Sequence, residues 1–151
     1  MLHVRLYTPD DHDFVLSLAP RLAIGMQLWR DSNLWLSTVK SWLVESIKQH
    51  NQKTTVLIAE DEQGDRLGFA TVSHSEHFTG QRQAYIGELA TSETAEGRGV
   101  GKALVQACET WAREQGYTML TLSTGAGNTR ALRFYHDLGF HDEDVTLTKI
   151  L

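Results

Sequence analysis

The sequence predicts a mixed α/β or α+β fold, with a single, mostly antiparallel central sheet flanked by about four helices. The chain has 151 residues, which lies within the usual size of one domain and allows one sizeable core. No repeat or low-complexity linker divides it, so residues 1–151 are interpreted as a single domain. β-Branched runs and amphipathic stripes follow each other along the chain, which indicates alternating strands and helices.

The first predicted elements are a short strand and two helices. The strand covers residues 3–7. Thr8 then offers an N-cap hydroxyl and Pro9 suits the first turn of a helix, which should stop before Pro20. A second helix is predicted over residues 34–49, because apolar side chains recur there at helical spacing, namely Leu36, Val39, Leu43 and Ile47.

Three strands are predicted in the middle of the chain. Residues 54–59 are rich in β-branched side chains and end in a polar cluster with Gly64, which suits a turn. The return strand is predicted over residues 66–74 and a further strand over residues 83–91, with Gly80 in the connection. Three antiparallel strands therefore precede the glycine-rich segment.

A helix, a strand, a helix and a final strand complete the predicted order. The first of these helices presents one apolar stripe that Gly116 closes, formed by Val100, Ala103, Leu104, Ala107, Trp111 and Ala112. Residues 118–123 alternate as a strand, and residues 128–138 form a short helix that Gly139 stops. The last strand is predicted over residues 145–151.

Charge and cysteine content exclude several classes of function. The formal net charge of −5 provides no basic surface for nucleic acid. Cys108 is the only cysteine, so an intrachain disulfide and a cysteine-based zinc site are excluded, and a reducing, cytoplasmic location is expected. No apolar run approaches the roughly 20 residues that span a bilayer, so no membrane partner is expected.

The segment from Glu96 to Lys102 reads Glu-Gly-Arg-Gly-Val-Gly-Lys and lies between a predicted strand and an amphipathic helix. Backbone amides can converge on an anion at such a place, although the same glycines would also suit a simple tight turn. A Walker loop would need glycine at Glu96 and Ser or Thr at Ala103. A dinucleotide fingerprint would need glycine at Lys102, so neither nucleotide motif is present.

Two segments resemble a known family. Residues 89–104, Leu-Ala-Thr-Ser-Glu-Thr-Ala-Glu-Gly-Arg-Gly-Val-Gly-Lys-Ala-Leu, look like the coenzyme A pyrophosphate-binding motif of the GNAT family of N-acetyltransferases. Residues 128–140, Asn-Thr-Arg-Ala-Leu-Arg-Phe-Tyr-His-Asp-Leu-Gly-Phe, resemble the family's Asn-x-x-Ala-x-x-Phe-Tyr segment. The predicted order of elements also matches that fold. The departures are Glu96, where the family usually has Gln or Arg, and Thr91 and Glu93, where it often has an aliphatic residue and proline.

The resemblance implies an N-acetyltransferase that moves an acetyl group from acetyl-CoA to a primary amine of a small molecule, an antibiotic, a peptide or a protein. The backbone of residues 89–91 would bind the pantetheine arm, and the amides of residues 97–102 would bind the pyrophosphate. The implied cofactor-binding residues are Leu89, Ala90, Thr91, Glu96, Gly97, Arg98, Gly99, Val100, Gly101, Lys102, Asn128 and Tyr135. No metal is expected, and proteins of this family often pair as homodimers.

Acyl transfer needs a neutral amine, and a lysine-like amine with a pKa of about 10.4 is neutral in only about one part in 2,500 at pH 7. That deficit is worth about 4.6 kcal/mol, which a base can help to offset. Glu88 is the only carboxylate within residues 83–91, so it is the candidate base, with a solvated or salt-bridged strand glutamate as an equal alternative. By resemblance, Tyr135 protonates the departing thiolate; the alternative is an aromatic packing residue beside Phe134.

The acceptor region and two other functions remain open. By resemblance, Trp29, Arg30 and Trp35 lie where the family often walls the acceptor pocket, although tryptophans there also pack between helices. Cys108 is interpreted as a buried structural thiol. A catalytically silent coenzyme A-binding sensor or structural module is the alternative function, supported by Glu96. A nucleotide-binding switch domain is disfavoured by the broken Walker pattern.

Overall fold

The computed structural model describes residues 1–151 and contains one five-stranded sheet whose strands lie in chain order. The strands are β1 His3–Leu6, β2 Thr54–Glu60, β3 Arg66–Glu76, β4 Arg82–Thr91 and β5 Leu120–Leu122. The helices are α1 His12–Ser17, α2 Ser32–Lys48, α3 Val100–Glu114 and α4 Thr129–Asp137. Strands β1 to β4 are antiparallel and β5 joins β4 in parallel, which confirms the predicted mixed sheet. A membrane-spanning helix is not found among the four helices.

Each face of the sheet is covered by helices. Alternate residues of β2 point to opposite faces, so Leu57 joins the cluster around α3 while Ile58 joins the cluster around α1 and α2. The α3 side is filled by the apolar stripe that the sequence predicts, including Leu104 and Ala112, and by Cys108 beside it. On the other face, Leu43 of α2 is fully buried with its neighbours. Helices on both faces leave the ends of the strands as the places where a site can form.

An irregularity between β3 and β4 positions the later part of β4. The pairing register shifts between Thr71 and Val72, and Gly87 has no partner in β3. Such a bulge reverses which face the following side chains occupy. Ile86 therefore contributes to the cluster around α3, whereas Ala90 contributes to the cluster around α1 and α2.

The predicted first helix is divided into shorter pieces. A 3-10 turn at Pro9–Asp11 precedes α1, and a second 3-10 turn at Ala19–Ala23 continues the chain through Pro20. Proline is tolerated there because the first turn of a helix leaves its N–H groups unpaired. Helix α2 begins earlier than predicted, since the side chain of Asp31 accepts the N–H groups of Asn33 and Leu34 and acts as the N-cap.

A buried cluster of ion pairs connects the 3-10 turn at Pro9–Asp11 to the sheet. The carboxylate of Asp11 is fully buried and accepts hydrogen bonds from two nitrogens of Arg5, at 2.8 and 2.9 Å. It also accepts from Arg66 Nε at 2.6 Å and from the N–H of Thr8 at 2.8 Å. The pKa of Asp11 lies well below its ordinary value, because of the hydrogen bonds from the Arg5 guanidinium and, to a smaller extent, those from Arg66 and Thr8. Asp11 thereby joins β1, the first turn and β3.

The predicted last strand, over residues 145–151, is wrong for the isolated chain. The residues after Phe140 belong to no helix or strand and make no backbone hydrogen bond. Strand propensity alone does not make a strand, because the backbone groups of a strand need a neighbouring strand as partner. The strand predicted over residues 118–123 is shorter in the structure, where only Leu120–Leu122 form β5. These three residues are the only ones that pair with β4, at Ala84–Ile86.

Candidate functional site

The sheet opens between β4 and β5. Beyond Ile86, β4 has no strand on the side of β5. The N–H of Ser92 donates to Leu67 O of β3 at 2.8 Å. Since backbone groups alternate along an antiparallel strand, those of Leu89 and Thr91 face away from β3 and into the opening. Of the three β4 residues predicted to bind a cofactor arm, these two present their backbone groups there, whereas Ala90 is turned toward β3.

The glycine-rich turn leads into α3 and leaves several amides without a partner. Gly97 and Gly99 have φ of +77° and +78°, a left-handed conformation that glycine adopts without strain. Gly99 is the N-cap of α3. No hydrogen bond within the chain uses the N–H groups of Gly97, Gly99, Val100, Gly101 and Lys102. Unpaired amides at a helix N-terminus, with its partial positive charge, fit the diphosphate of a coenzyme.

Gly101 brings α4 close to this turn. A Cβ atom on Gly101 would lie 3.1 Å from Phe134 Cζ, which is tighter than an ordinary contact. The third glycine of the motif therefore suits the close packing of α4 on α3, whether or not its amide binds a ligand. Because Phe134 precedes Tyr135, the same contact holds the predicted acid on a helix that packs against the start of α3.

The charges around the turn are mostly paired. The carboxylate of Glu96 forms ion pairs with Arg21 and, at 3.2 Å, with Arg130. The hydrogen bonds from Arg21 and then Arg130 lower the pKa of Glu96. Arg98 lies 4.0 Å from Asp61, whereas Lys102 is exposed and has no ion pair. The unfavourable charge of Glu96 is thus compensated by two arginines, and Lys102 is the cation of the turn that remains available to an anion.

The segment before α2 crosses the opening in the sheet. Arg21 Nε donates to Thr91 O at 3.1 Å, so one of the predicted cofactor contacts of β4 is already engaged. Asn128 is the N-cap of α4, where its Oδ1 accepts from the N–H of Ala131 at 3.1 Å. Its Nδ2 donates to Ile24 O at 3.3 Å. The structure therefore gives Asn128 a capping role, and its contact with a cofactor remains a prediction.

Tyr135 is partly buried on α4, between the rings of Phe134 and Phe140 at centroid distances of 5.1 and 5.6 Å. Burial, and to a smaller extent the neighbouring Cys108 thiol, raise the pKa of Tyr135 to about 12. No protein group forms a hydrogen bond with its Oη. The phenol is therefore a protonated donor at neutral pH whose proton is not committed to another residue.

Glu88 is a buried carboxylate held by two hydroxyl groups. Ser46 Oγ of α2 donates to its Oε1 at 3.0 Å, and Thr71 Oγ1 of β3 donates to its Oε2. Burial raises the pKa of Glu88, and the hydrogen bonds from Thr71 and Ser46 oppose part of that rise. No cation pairs with the carboxylate, and only 8% of the residue is exposed. The solvated and salt-bridged forms of the alternative interpretation are therefore not observed.

The predicted acceptor residues are dispersed. Trp29 is half exposed and Arg30 is exposed, both in the loop before α2. Trp35 lies within α2, where it packs against the core around Leu43, and its Nε1 is buried without a hydrogen-bond partner. Cys108 is fully buried and burial raises its pKa to about 12, as expected for a structural thiol.

Sequence reasoning missed Arg21, Arg130, Ser46 and Thr71. Ser46 could have been identified from the sequence, because it falls on the same helical stripe as Val39 and Leu43 and is thus a polar residue on an apolar face. The sequence pattern did not indicate Arg21, Arg130 or Thr71, since their partners lie far away in the sequence and meet them only in the folded chain.

Comparisons with known proteins identify the family of the chain. A family model described as the acetyltransferase (GNAT) family matches residues 21–140. N-acetyltransferase 8 of Rattus norvegicus is 34% identical over 73 residues, which are 48% of this chain and 33% of the relative. The L-methionine sulfoximine/L-methionine sulfone acetyltransferase of Pseudomonas paraeruginosa (strain DSM 24068 / PA7) is 26% identical over 113 residues, which are 75% of this chain and 64% of the relative.

The fold is also shared with solved structures. The structure of a predicted acetyltransferase with acetyl-CoA from Clostridium acetobutylicum has a TM-score of 0.68 at 20% sequence identity. The match covers 99% of this chain and 96% of that one. This chain spans less than two thirds of the length of both curated relatives described above.

Proposed function

The chain belongs to the GNAT family of acetyltransferases, and on that premise we propose that it moves an acetyl group from acetyl-CoA to a primary amine by direct attack in a ternary complex. The observation that carries this proposal is the set of unpaired amides where the glycine-rich turn enters α3. Several N–H groups aimed at one diphosphate are needed, because each exposed helix-terminus interaction contributes only about 0.3–1 kcal/mol.

The remaining contacts to the coenzyme come from both sides of the opening in the sheet. The outward backbone groups of Leu89 and the outward N–H of Thr91, whose carbonyl already accepts from Arg21, support a strand-like arrangement of the pantetheine arm. Lys102 and Arg98 supply positive charge beside the diphosphate, with Lys102 the freer of the two. When bound, acetyl-CoA supplies the activated thioester whose carbonyl the amine attacks.

Two side chains are proposed to move protons. Tyr135 Oη donates its proton to the leaving sulfur, and its raised pKa supports that role because the phenol stays protonated at neutral pH. Glu88 accepts a proton from the incoming amine, directly or through water. Its raised pKa makes it a better base than an exposed glutamate, since a base is most effective when its pKa lies near the working pH.

The acceptor is proposed to be a primary amine that approaches past the loop before α2, where Trp29 and Arg30 are exposed. The Pseudomonas relative is named for methionine sulfoximine and methionine sulfone, so the α-amino group of a polar amino acid is one class to test. Polyamines, aminoglycosides and peptide amines are the others.

The test is isothermal titration of the purified chain with acetyl-CoA, followed by a free-thiol release assay with representatives of these amine classes. Saturable binding with amine-dependent thiol release is expected. Binding without release from any amine would support the silent coenzyme A-binding module instead. Absence of binding would show that the glycine-rich turn does not hold the coenzyme.

Two glycine variants test whether acetyl-CoA binds at the glycine-rich turn. Gly99→Val places a β-branched residue at a left-handed position, which strains the N-cap of α3 and should raise the Kd for acetyl-CoA at least about tenfold. Gly116→Val is the matched control, because Gly116 has a φ of +85°, equally open surroundings and a place at the other end of α3. Equal loss of affinity in both variants would indicate general destabilisation.

Replacing Glu88 by Gln is expected to lower kcat by about a hundredfold, the lower end of the range for general acid–base catalysis. In the native protein kcat/KM should fall as the pH drops through the pKa of Glu88, because the protonated carboxyl cannot accept a proton. Burial places that fall above the ordinary glutamate range. The measurement is a pH–rate profile.

The Ser46→Ala variant tests whether Glu88 acts in catalysis or has only a structural role. Its hydroxyl lowers the pKa of Glu88, so its loss should move the acid limb of the profile to higher pH while the carboxylate remains. If Glu88→Gln retained turnover and the same acid limb, Glu88 would be a buried structural residue.

A further inference from the structure

Glu96 lies at the start of the glycine-rich turn and contacts two arginines that come from different parts of the chain. Arg21 belongs to the 3-10 turn at Ala19–Ala23, and Arg130 belongs to the first turn of α4. Both guanidinium groups form ion pairs with the same carboxylate. Because Glu96 directly precedes Gly97, whose N–H is unpaired, two cations lie beside the amides that are proposed to bind the diphosphate.

The two arginines are held to different extents. The Arg21 side chain is 24% exposed, and its Nε also donates to Thr91 O at 3.1 Å. The Arg130 side chain is 78% exposed, and its only ion pair or hydrogen bond is the contact with Glu96 at 3.2 Å. The hydrogen bond from Arg21 lowers the pKa of Glu96 more than the one from Arg130 does. Since exposed ion pairs contribute little, Arg130 can leave Glu96 while Arg21 continues to neutralise it.

A diphosphate is a better partner for Arg130 than Glu96 is. The single charge of Glu96 is already shared with Arg21, whereas both phosphates of a diphosphate are negatively charged. The planar guanidinium of arginine also matches a phosphate, because two parallel N–H groups can donate to two of its oxygens. A diphosphate at the unpaired amides would therefore attract Arg130 away from Glu96.

We propose that Arg130 is a ligand of the coenzyme's diphosphate: Glu96 holds it beside the glycine-rich turn in the ligand-free chain, and it transfers to the diphosphate when the coenzyme binds. Glu96 stays paired with Arg21, so its carboxylate does not repel the ligand. The transfer rests on the proposed function, because it requires acetyl-CoA at this turn. Glu96 also lowers the affinity for the coenzyme, since Arg130 gives up an ion pair when it moves.

Isothermal titration with acetyl-CoA tests the contact. Arg130→Gln should raise the Kd at least about tenfold. Arg113→Gln is the matched control and should leave the Kd unchanged, because Arg113 forms a similarly exposed ion pair with Glu109 at the other end of α3. Circular dichroism and the thermal midpoint should be unchanged in both variants, since each loses only an exposed ion pair. An equal rise of the Kd in both variants overturns the proposal.

Titration with dephospho-coenzyme A identifies the phosphate that Arg130 contacts. This ligand lacks the phosphate on the ribose and keeps the diphosphate. Arg130→Gln should raise the Kd by the same factor for coenzyme A and for dephospho-coenzyme A. An effect that is present with coenzyme A and absent with dephospho-coenzyme A would assign Arg130 to the ribose phosphate, and that result overturns the diphosphate contact.

A double-mutant cycle with Glu96→Gln tests the transfer. This substitution removes the ion pair that Arg130 gives up, so the Kd for acetyl-CoA should fall about threefold in the otherwise unmodified chain. It should change the Kd much less when Arg130 is already Gln. An equal fall in both backgrounds would mean that Glu96 acts through its charge alone, which overturns the transfer. Absence of acetyl-CoA binding to the unmodified chain overturns the proposed function as well, whereas binding that Arg130→Gln leaves unchanged overturns only the role of Arg130.

Discussion

Tyr135→Phe is expected to lower kcat by about a thousandfold with little change in the Kd for acetyl-CoA, within the usual range for loss of a general acid. The substitution removes only the hydroxyl group and keeps the ring between Phe134 and Phe140. Packing is therefore preserved, and the expected loss concerns the proton that we propose Tyr135 donates to the leaving sulfur. Single-turnover thiol release measures the effect, and isothermal titration confirms that the coenzyme still binds.

The pH dependence of turnover provides a second test of the proposed role of Tyr135. A pKa of about 12 keeps the phenol of Tyr135 protonated through the whole range in which the enzyme can be assayed. No loss of activity between neutral and moderately alkaline pH should therefore originate from this group. Tyr117→Phe is the control, because Tyr117 lies between Arg82 and His74, away from the glycine-rich turn. Unchanged turnover in Tyr135→Phe would leave Tyr135 as a packing residue only.

Asp11→Ala should lower the free energy of unfolding by about 3 kcal/mol at pH 7, the lower end of the range for breaking a buried ion pair. The variant leaves Arg5 and Arg66 facing each other without the carboxylate that both contact. The lower end applies because both arginines are partly exposed and Arg5 keeps its ion pair with Glu60. Urea unfolding of the two proteins measures the difference.

The sign of the pH dependence follows from the lowered pKa of Asp11. A carboxylate with a depressed pKa stabilises the folded chain above its unfolded pKa of about 3.9, and this stabilisation is lost as the pH falls toward the folded value. The difference between native protein and Asp11→Ala should thus be complete at neutral pH and shrink in acid. Asp10→Ala, an exposed neighbour, should change little. Equal unfolding of both variants would argue against the ion cluster as a stabilising feature.

Local pattern was sufficient for most of the fold. The strands β2, β3 and β4 and the helix α3 lie where β-branched runs and the apolar stripe predict them, within a few residues at each end. These signals are reliable because a buried face imposes its own spacing on the chain, two residues in a strand and about 3.6 in a helix. The glycine-rich turn was readable for a similar reason, since left-handed positions such as Gly97 and Gly99 require glycine.

Contacts between residues that are far apart in the sequence could not be predicted from the sequence. Thr71 and Ser46 meet around Glu88 only because a bulge turns β4 there, and Arg21 reaches Glu96 only because the segment before α2 crosses the sheet. The composition of residues 145–151 predicts a strand, yet the isolated chain forms none.

The sequence by itself determined the order of the strands and main helices from β1 to α4, the family motif and the residue types of the proposed site, because each depends on neighbours along the chain. Only the tertiary structure decided that Glu88 is buried without a cation, that Glu96 is neutralised by two arginines and that β5 keeps an open edge. The physical reason is that charge compensation, burial and strand pairing depend on which distant groups come into contact, and local spacing contains no information about that.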